Sequence, residues 1–327
     1  MKDKILVTGG CGYIGSAISS KLLRNYEVIV LDNLSNSSKK TLKKNIKFYK
    51  LDLSNYLLLK KFLEKNQFKT IIHLAAKKNV IESESNKNFY YKENFINTKN
   101  LFDIAIRNDL RSFIFFSSAA VYGKGKTKIL STANLKPLSY YGKTKLLSEN
   151  YLIKQLEKFN FKLSILRLFN AAGADCKKKI GNQSKKDIDL FSHIIRSFEE
   201  DKKFSLFGKN FDTKDGTCIR NFIHINDISN IVVKIIDYLK TAKYQKFLIN
   251  ICSQKSYSIF DVIKSFQIYY KKKLDYNLKN KRKGEIVKST ASYNFIKQTL
   301  KYKCKFSSIQ NLVKSSVCWY RLINLKK

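Results

Sequence analysis

The chain has 327 residues, 44% of them hydrophobic, so it is long enough to bury a substantial core and to form two lobes. It carries 64 basic residues against 25 acidic ones, a net charge of +39, yet the lysines are spread along the chain without an arginine-rich arm. Nucleic-acid binding is therefore not expected, and no apolar run approaches the roughly 18 residues that a membrane span needs.

The charge is best explained by base composition. Lys greatly outnumbers Arg, Asn and Ile are plentiful, and there is a single Pro, a pattern typical of an A+T-rich coding sequence. The positive surface still attracts anionic ligands, an effect that salt weakens. The six cysteines are scattered with no Cys-x-x-Cys, so neither a metal site nor a disulfide framework is expected. With no signal peptide before the first predicted strand, we expect a cytoplasmic protein.

Strand-like and helix-like segments alternate through the first half of the chain, which predicts a parallel sheet with crossover helices. The predicted strands are Ile5–Thr8, Val28–Leu31, Ile46–Leu51, Thr70–Ala75, Phe113–Ser117 and Leu163–Leu168. The predicted helices are Tyr13–Arg24, Asn55–Lys65 with Ser54 as its cap, Asn94–Arg107 and Tyr141–Leu156.

After Asn170 this alternation breaks down, and polar loops at 173–187 and 208–217 separate predicted helices at 226–238 and 258–270. The fold class is therefore α/β, a doubly wound parallel Rossmann sheet with a smaller C-terminal α/β substrate lobe. We predict a cofactor domain over 1–170, onto which a segment near 222–250 folds back. Residues 171–327 mainly form the substrate lobe.

A glycine-rich turn joins the first strand to the first helix. Gly9 and Gly12 let the backbone turn and approach a pyrophosphate, and Gly15 lets the helix pack closely on the strand. The amides at the start of the helix then face the anion. In this position the pattern predicts a dinucleotide site.

The ends of the next two strands favour NAD over NADP. Asp32 follows the second strand, 20 residues after Gly12, where its carboxylate can accept hydrogen bonds from both ribose hydroxyls and would repel a 2′-phosphate. Asp52 and Leu53 follow the third strand and are placed to meet the adenine.

Tyr141 and Lys145 are the candidate catalytic pair. They are four residues apart on one helical face, and a nearby cation together with the positive nicotinamide ring should lower the pKa of the phenol. The neighbouring Tyr140 has Thr144, not Lys, at the equivalent spacing. Ser118, or Ser117 if the register differs by one, can bind the reacting oxygen. The pair therefore predicts a nicotinamide enzyme that acts on an alcohol.

Six segments together resemble the UDP-glucose 4-epimerase family of the extended short-chain dehydrogenase/reductases, and the match runs nearly end to end. They are Thr8–Ser16, Leu31–Asn36, Ser117–Gly123, Tyr141–Lys145, Phe169–Ala174 and Asp215–His224. The resemblance implies a seven-stranded sheet with tightly bound NAD that is regenerated in each turnover. It also implies 4-epimerisation of a UDP-hexose, UDP-glucose to UDP-galactose, through a 4-keto sugar.

The resemblance assigns roles to further residues. Tyr141 is the base, Lys145 tunes it and binds the nicotinamide ribose, and Ser118 binds the substrate hydroxyl. Further cofactor contacts are implied at Tyr13, Ile14, Asn33, Ala75, Lys78, Asn94 and Ser117. Substrate contacts are implied at Asn170, Asp189, Phe207, Arg220, Arg282, Glu285 and Ser289, with Phe207 at the uracil and the two arginines and Glu285 at the diphosphate and ribose. A homodimer is implied through the helices at 94–107 and 141–156.

Four positions depart from the family pattern. Asp189 stands where an amide or His faces the phosphates, with His193 as a possible substitute, while Asn221 and Ser292 each replace an Asp and Phe222 replaces a Tyr. The small Ser289 predicts that N-acetylhexosamine substrates also fit.

Other functions stay open at this point. A UDP-glucuronate decarboxylase, an epimerase for another UDP-sugar or a 4,6-dehydratase would share the fold, although Ala119 and Ala120 stand where dehydratases place acids. A non-catalytic NAD-binding protein and a nucleic-acid-binding protein are the more distant alternatives.

Overall fold

A computed structural model of the protein describes residues 2–124, 128–183, 189–281 and 285–324. The strands are β1 Lys4–Thr8, β2 Glu27–Asp32, β3 Lys47–Lys50, β4 Thr70–His73, β5 Ser112–Ser118, β6 Lys162–Leu168, β7 Asn170–Ala172, β8 Phe204–Phe207, β9 Ile219–His224, β10 Lys246–Ile251, β11 Ser256–Ser258, β12 Tyr276–Lys279 and β13 Lys288–Ser289. The helices are α1 Tyr13–Leu22, α2 Tyr56–Lys65, α3 Val80–Ser85, α4 Lys87–Tyr91, α5 Asn97–Ile106, α6 Tyr140–Gln155, α7 Leu190–Glu199, α8 Ile225–Thr241, α9 Ile259–Tyr270 and α10 Ile309–Asn324.

The main sheet has seven parallel strands in the order β10-β6-β5-β4-β1-β2-β3 within the described residues. The chain builds one half outward from β1 and the other outward from β4, so the strand order reverses between these two neighbours. Ligands of open α/β sheets bind in the crevice at such a point, beyond the carboxyl ends of the strands. The predicted doubly wound α/β fold is confirmed.

Both faces of this sheet are apolar because alternate side chains of each strand point to opposite sides. Ile5 and Val7 of β1 pack into one buried cluster with α1 and α8, whereas Leu6 packs into the other with α2 and α5. Near-continuous apolar strands are what a sheet covered on both faces requires.

The chain returns to the main sheet after a first excursion. Helix α8 packs against α1, and β10 then pairs with β6 at the sheet edge. The remaining C-terminal elements form two small sheets, β11-β9-β13 with β7 on β9, and β12-β8. Their separate buried cluster includes Phe191, Phe222 and Phe266.

Several local expectations were wrong. Asn55, not Ser54, caps α2 by accepting a hydrogen bond from the Leu58 amide, while the Ser54 side chain is bound to Asp52. The helix predicted from residue 94 begins earlier, since α4, a π-helical turn at Lys92–Ile96 and α5 follow one another without a break. Cys176 forms a disulfide with Cys318, a pairing across 142 residues that spacing alone could not indicate.

Candidate active site

A cleft of about 600 Å³ opens at the point where the strand order reverses. Its walls come from the loops that follow β1, β2, β3 and β4. Of the predicted cofactor residues, the following line it: Gly9, Gly12, Tyr13, Ile14, Gly15, Asp32, Asn33, Asp52, Leu53, Ala75 and Lys78.

The glycine turn needs its glycines for steric reasons. Gly9 has φ +67°, and a Cβ there would lie 2.7 Å from the Ala75 amide nitrogen. A Cβ on Gly15 would collide with the carbonyl oxygen of Gly9. Gly12 begins α1 with no side-chain cap, so the first amides of the helix stay available to an anion.

Asp32 shapes the next wall of the cleft. Its carboxylate accepts hydrogen bonds from the amides of Cys11 (3.0 Å) and Leu34 (2.9 Å) and from the Ser37 hydroxyl (2.8 Å). Beside it, Asn33 donates to Asp52 at 2.6 Å. Burial raises the pKa of Asp52, but hydrogen bonds from Ser54 and Asn33 outweigh this and the net pKa is lowered.

Together these walls fit a dinucleotide. The turn leaves helix amides free for a pyrophosphate, and an acidic side chain stands at the end of β2 where a ribose would lie.

Tyr141 on α6 interacts with Ser118 at the end of β5. Ser118 also accepts a bond from the Ala120 amide at 3.2 Å. Lys145, only 3% exposed, donates from Nζ to the Phe116 carbonyl at 2.9 Å. The three predicted catalytic residues therefore lie together on β5 and the first turns of α6.

The electrostatics differ from the sequence-based expectation. Burial raises the pKa of Tyr141, and the Ser118 hydrogen bond only partly opposes that rise. Burial also lowers the pKa of Lys145 to about 7, although the nearby Glu149 carboxylate partly raises it. The expected lowering of the phenol pKa by Lys145 is thus not present in the protein alone, because both groups are desolvated.

Helix α3 connects the cleft to α6. Its Glu82 lines the cleft, while Ser83 accepts a hydrogen bond from the Tyr141 amide at 3.0 Å and Glu84 accepts one from Tyr140 at 2.6 Å. This helix was not predicted, although Asn79 followed three residues later by Glu82 is a recognisable start signal.

Two predicted cofactor residues lie behind the cleft wall. The side-chain oxygen of the fully buried Asn94 accepts a hydrogen bond from the Lys77 amide (2.8 Å), and its nitrogen donates to the Lys77 carbonyl (2.9 Å) and the Thr144 hydroxyl (3.1 Å). These bonds tie the loop after β4 to α6. Ser117 is 4% exposed and its hydroxyl donates to Glu149. Both side chains therefore support the site from within the core.

In the smaller lobe, Arg220 and Glu285 form an ion pair of 2.8 Å with side chains 15% and 21% exposed. Ser289 pairs with Arg220 in the β9–β13 register. Phe207 ends β8, and Asn170 on β7 donates to the Asn221 carbonyl at 3.0 Å. Arg282 lies outside the described residues.

Comparison with known proteins agrees with this geometry. Residues 5–252 match the NAD dependent epimerase/dehydratase family. The chain belongs to this family.

Individual relatives are similar over nearly their whole length. The UDP-glucose 4-epimerase of Halalkalibacterium halodurans is 30% identical over 320 residues, 97% of this chain and 95% of that one. The solved UDP-glucose 4-epimerase of Bifidobacterium longum in complex with NAD+ and UDP is 28% identical, with a TM-score of 0.89 over 98% and 99% of the two chains. The UDP-Glc/GlcNAc 4-epimerase of Campylobacter jejuni is 33% identical, with a TM-score of 0.82 over 98% and 99%.

Membership of this epimerase/dehydratase family makes the chain an NAD-dependent enzyme, and the cleft residues above are those that would hold the cofactor. Within the described ranges there is no group of three or more potential metal ligands. Nor does that part of the chain contain a helix long and apolar enough to cross a bilayer.

The departures noted for this family member have structural explanations. Asn221 is 2% exposed; its amide donates to the Lys255 carbonyl at 2.8 Å and its oxygen accepts from the Ala291 amide at 2.7 Å. A carboxylate could not donate, so the amide suits this position. Phe222 packs edge-on against Phe191 in the lobe core.

Asp189 has a local role. Its carboxylate caps α7 by accepting from the Ser192 amide at 2.9 Å, and it also accepts from Asn182 at 2.8 Å. An acid at a helix N-terminus is stabilised by the helix dipole. Ser292 accepts from the Asn294 amide at 3.4 Å.

Asn182 and Gln183 also line the cleft, and the sequence analysis did not find them. The Asn182 carbonyl accepts from the indole nitrogen of Trp319 on α10 at 2.7 Å. Such a contact spans 137 residues, so no local signal could have indicated it.

Proposed function

We propose that this protein is an NAD-dependent 4-epimerase that interconverts UDP-glucose and UDP-galactose. The observation that carries the proposal is that Tyr141 interacts with Ser118 beside the buried Lys145, on a helix whose start is held by α3 at the cleft wall. NAD, when bound, supplies reversible hydride acceptance at C4 of the hexose.

The side chains supply the proton chemistry. Tyr141 removes the proton of the C4 hydroxyl and later returns it, while Ser118 holds the same oxygen by a hydrogen bond. Lys145 favours the phenolate when it is charged, since an opposite charge nearby stabilises the ionised form. Desolvation of Tyr141 and Lys145 strengthens these interactions by excluding water.

The smaller lobe is proposed to hold the UDP group. Arg220 suits the diphosphate because a guanidinium binds phosphate oxygens in pairs, and Glu285 accepts from a ribose hydroxyl. Phe207 stacks on the uracil, and Arg282 is assigned to the same clamp by resemblance. A firm hold on the nucleotide leaves the hexose free to turn, so that either face can be reduced.

Two consequences are part of the proposal. Residues 1–170 with the returning segment near 222–250 bind NAD, and the rest of 171–327 mainly binds the UDP-sugar. The small Ser289 beside Arg220 leaves room for an N-acetyl group, so UDP-GlcNAc and UDP-GalNAc are accepted as well. Equal exclusion of UDP-N-acetylglucosamine by the wild type and Ser289→Tyr would refute this second point.

We also propose a cytoplasmic homodimer that pairs through α5 and α6. In support of the interface, Leu147 on α6 is 40% exposed. Sedimentation that shows a monomer at micromolar concentration would contradict the dimer.

Incubation of the purified protein with UDP-galactose, and separately with UDP-N-acetylgalactosamine, tests the function. We expect chromatography to resolve the C4 epimer in both cases without added cofactor, since NAD should copurify. A UDP-glucuronate decarboxylase or a dehydratase would leave UDP-galactose unepimerised, and so would a non-catalytic protein.

A further inference from the structure

A buried ion pair lies beneath the catalytic lysine, and the proposed reaction leaves it without a role. Arg167 on β6 contacts Glu149 on α6 with Nη2 2.6 Å from Oε2 and Nε 3.1 Å from Oε1, and the two side chains are 2% and 1% exposed. Burying two charges is costly, and apolar residues of similar size often stabilise a core equally well. Packing alone therefore gives no reason for the pair.

Glu149 is placed to act on Lys145. The two residues are one helical turn apart on the same face of α6, and the carboxylate attracts the ammonium group. Both are also tied to successive residues of β5: Lys145 donates to the Phe116 carbonyl, and the Ser117 hydroxyl donates to Glu149. The next residue of this strand is Ser118.

Arg167 fixes the position of this carboxylate. Its Nη1 donates to the Tyr122 hydroxyl at 3.0 Å and to the Ser131 carbonyl at 2.8 Å, so the guanidinium is held from several sides. Tyr122 in turn donates to Asn250 on β10 at 2.6 Å. The carboxylate is thereby anchored to three strands of the main sheet.

The other titratable groups around Lys145 do not replace Glu149. Tyr141 is on the same helix, and burial keeps its phenol protonated in the protein alone by raising its pKa. His73 faces Lys145 from β4, and burial followed by the nearby ammonium lowers its pKa to about 3, so the ring is neutral. Arg167 is positive. Within the described residues, Glu149 thus provides the attraction that favours the charged form of Lys145.

We propose that Glu149, held by Arg167, is a positioning residue that favours the charged form of Lys145 and fixes the Ser117–Ser118 end of β5 against α6. The inference rests on the proposed function, because the charge on Lys145 matters only if Tyr141 is the base. Burial already brings the pKa of Lys145 down to about 7. This value already includes the attraction of Glu149, so without that carboxylate the pKa falls further and less of the lysine offers the phenolate a cation at pH 7.

Replacement of Glu149→Gln tests this directly, since the amide keeps the shape and an acceptor for Ser117 but removes the charge. Lysine is labelled with ¹³C at Cε, and the Lys145 resonance is identified by its loss in Lys145→Met. We expect its titration midpoint in the purified protein to fall by roughly one to two pH units in Glu149→Gln. The descending limb of kcat/KM against pH should move to lower pH by the same amount, because activity is lost as Lys145 deprotonates.

Asp103→Asn is the matched control. It neutralises a carboxylate on the neighbouring helix α5 that contacts Tyr151 of α6 and forms a 2.6 Å ion pair with Lys99. It leaves the carboxylate beside Lys145 intact, so we expect the Lys145 midpoint to stay within a few tenths of a pH unit of wild type.

If the Lys145 titration midpoint in folded Glu149→Gln equals that of the wild type, the inference is overturned. It is also overturned if the midpoint falls while the descending limb of kcat/KM against pH stays in place. If Glu149→Gln does not fold, Glu149→Asp is tested instead, because its shorter side chain places the carboxylate farther from Lys145. A lowered midpoint then supports the inference and an unchanged one refutes it. If the wild type fails to epimerise UDP-galactose, the proposed function is refuted instead. The two failures are distinguishable, because the NMR titration measures the Lys145 midpoint without any turnover.

Discussion

The main sheet and the smaller lobe hold their functional residues in different ways. Around the sheet, the glycine turn, Asp32 and the Tyr141–Lys145 pair each lie at the end of a strand or the start of a helix, where short-range rules set their position. In the lobe, Arg220 meets Glu285 across 65 residues, and Phe207 lies on a separate two-stranded sheet. A site assembled from strand ends can be recognised in sequence, whereas one assembled from distant segments depends on the fold of the lobe.

The largest expected effect is at the sheet side of the site. Tyr141→Phe should reduce kcat by at least about 10³-fold, because it removes the group that exchanges the proton. Steady-state kinetics on UDP-galactose measures this, with circular dichroism to show an unchanged fold. Tyr140→Phe is the matched control and should retain activity, and an equal loss in both variants would show that the assignment of the base is wrong.

Acid should destabilise the two regions unequally. Burial lowers the pKa of His73 in the sheet region to about 3 and that of His224 in the lobe to about 4. Because both values lie below the usual 6.5, the unfolded chain binds more protons, and stability is lost as pH falls below about 6.5. For His73 the loss between pH 6.5 and 4 is roughly 3 kcal/mol.

Denaturant unfolding at pH 8 and pH 4.5 measures this difference. His73→Gln should remove more of the pH-dependent loss than His224→Gln, and the values at pH 8 serve as the internal reference. Identical pH dependence in the wild type and both variants would show that neither histidine controls acid stability.

The lobe can be tested through substrate binding. Arg220→Met should raise KM for UDP-galactose by about 10–100-fold with a much smaller change in kcat, because the contact is with the nucleotide in ground and transition states alike. Arg321→Met removes an exposed arginine that pairs with Glu199 in the same lobe, and it should leave KM unchanged. A kcat-only effect of Arg220→Met would instead place this arginine at the reacting centre.

The smallest effect concerns the glycine turn. Gly15→Ala should lower the free energy of unfolding by about 2 kcal/mol, because its Cβ collides with the Gly9 carbonyl. The Cβ of Gly12→Ala would lie 3.2 Å from the same oxygen, so that variant should lose less stability. Denaturation of both proteins, stripped of cofactor, gives the comparison, and equal stability of both would contradict close packing at Gly15.

Sequence reasoning went furthest where a residue's task is set within one strand–turn–helix unit. The alternation of elements specified the parallel sheet, and the resemblance specified the family and its cofactor. Contacts between distant segments were beyond its reach. The core contacts of Asn94 and Ser117 were not foreseen, although their assignment to the cofactor stays a prediction, and helix α3 was not predicted.

The sequence by itself determined the α/β class, the nicotinamide chemistry and the residues that face the cleft from each turn, because these follow from local periodicity and backbone geometry. Only the tertiary structure decided which charges are buried and paired. The Glu149–Arg167 contact joins α6 to β6, and its influence on Lys145 depends on the removal of water by packing. Desolvation is a property of the assembled core, and for that reason the direction of the Tyr141 pKa shift could not be obtained from the spacing of two residues on a helix.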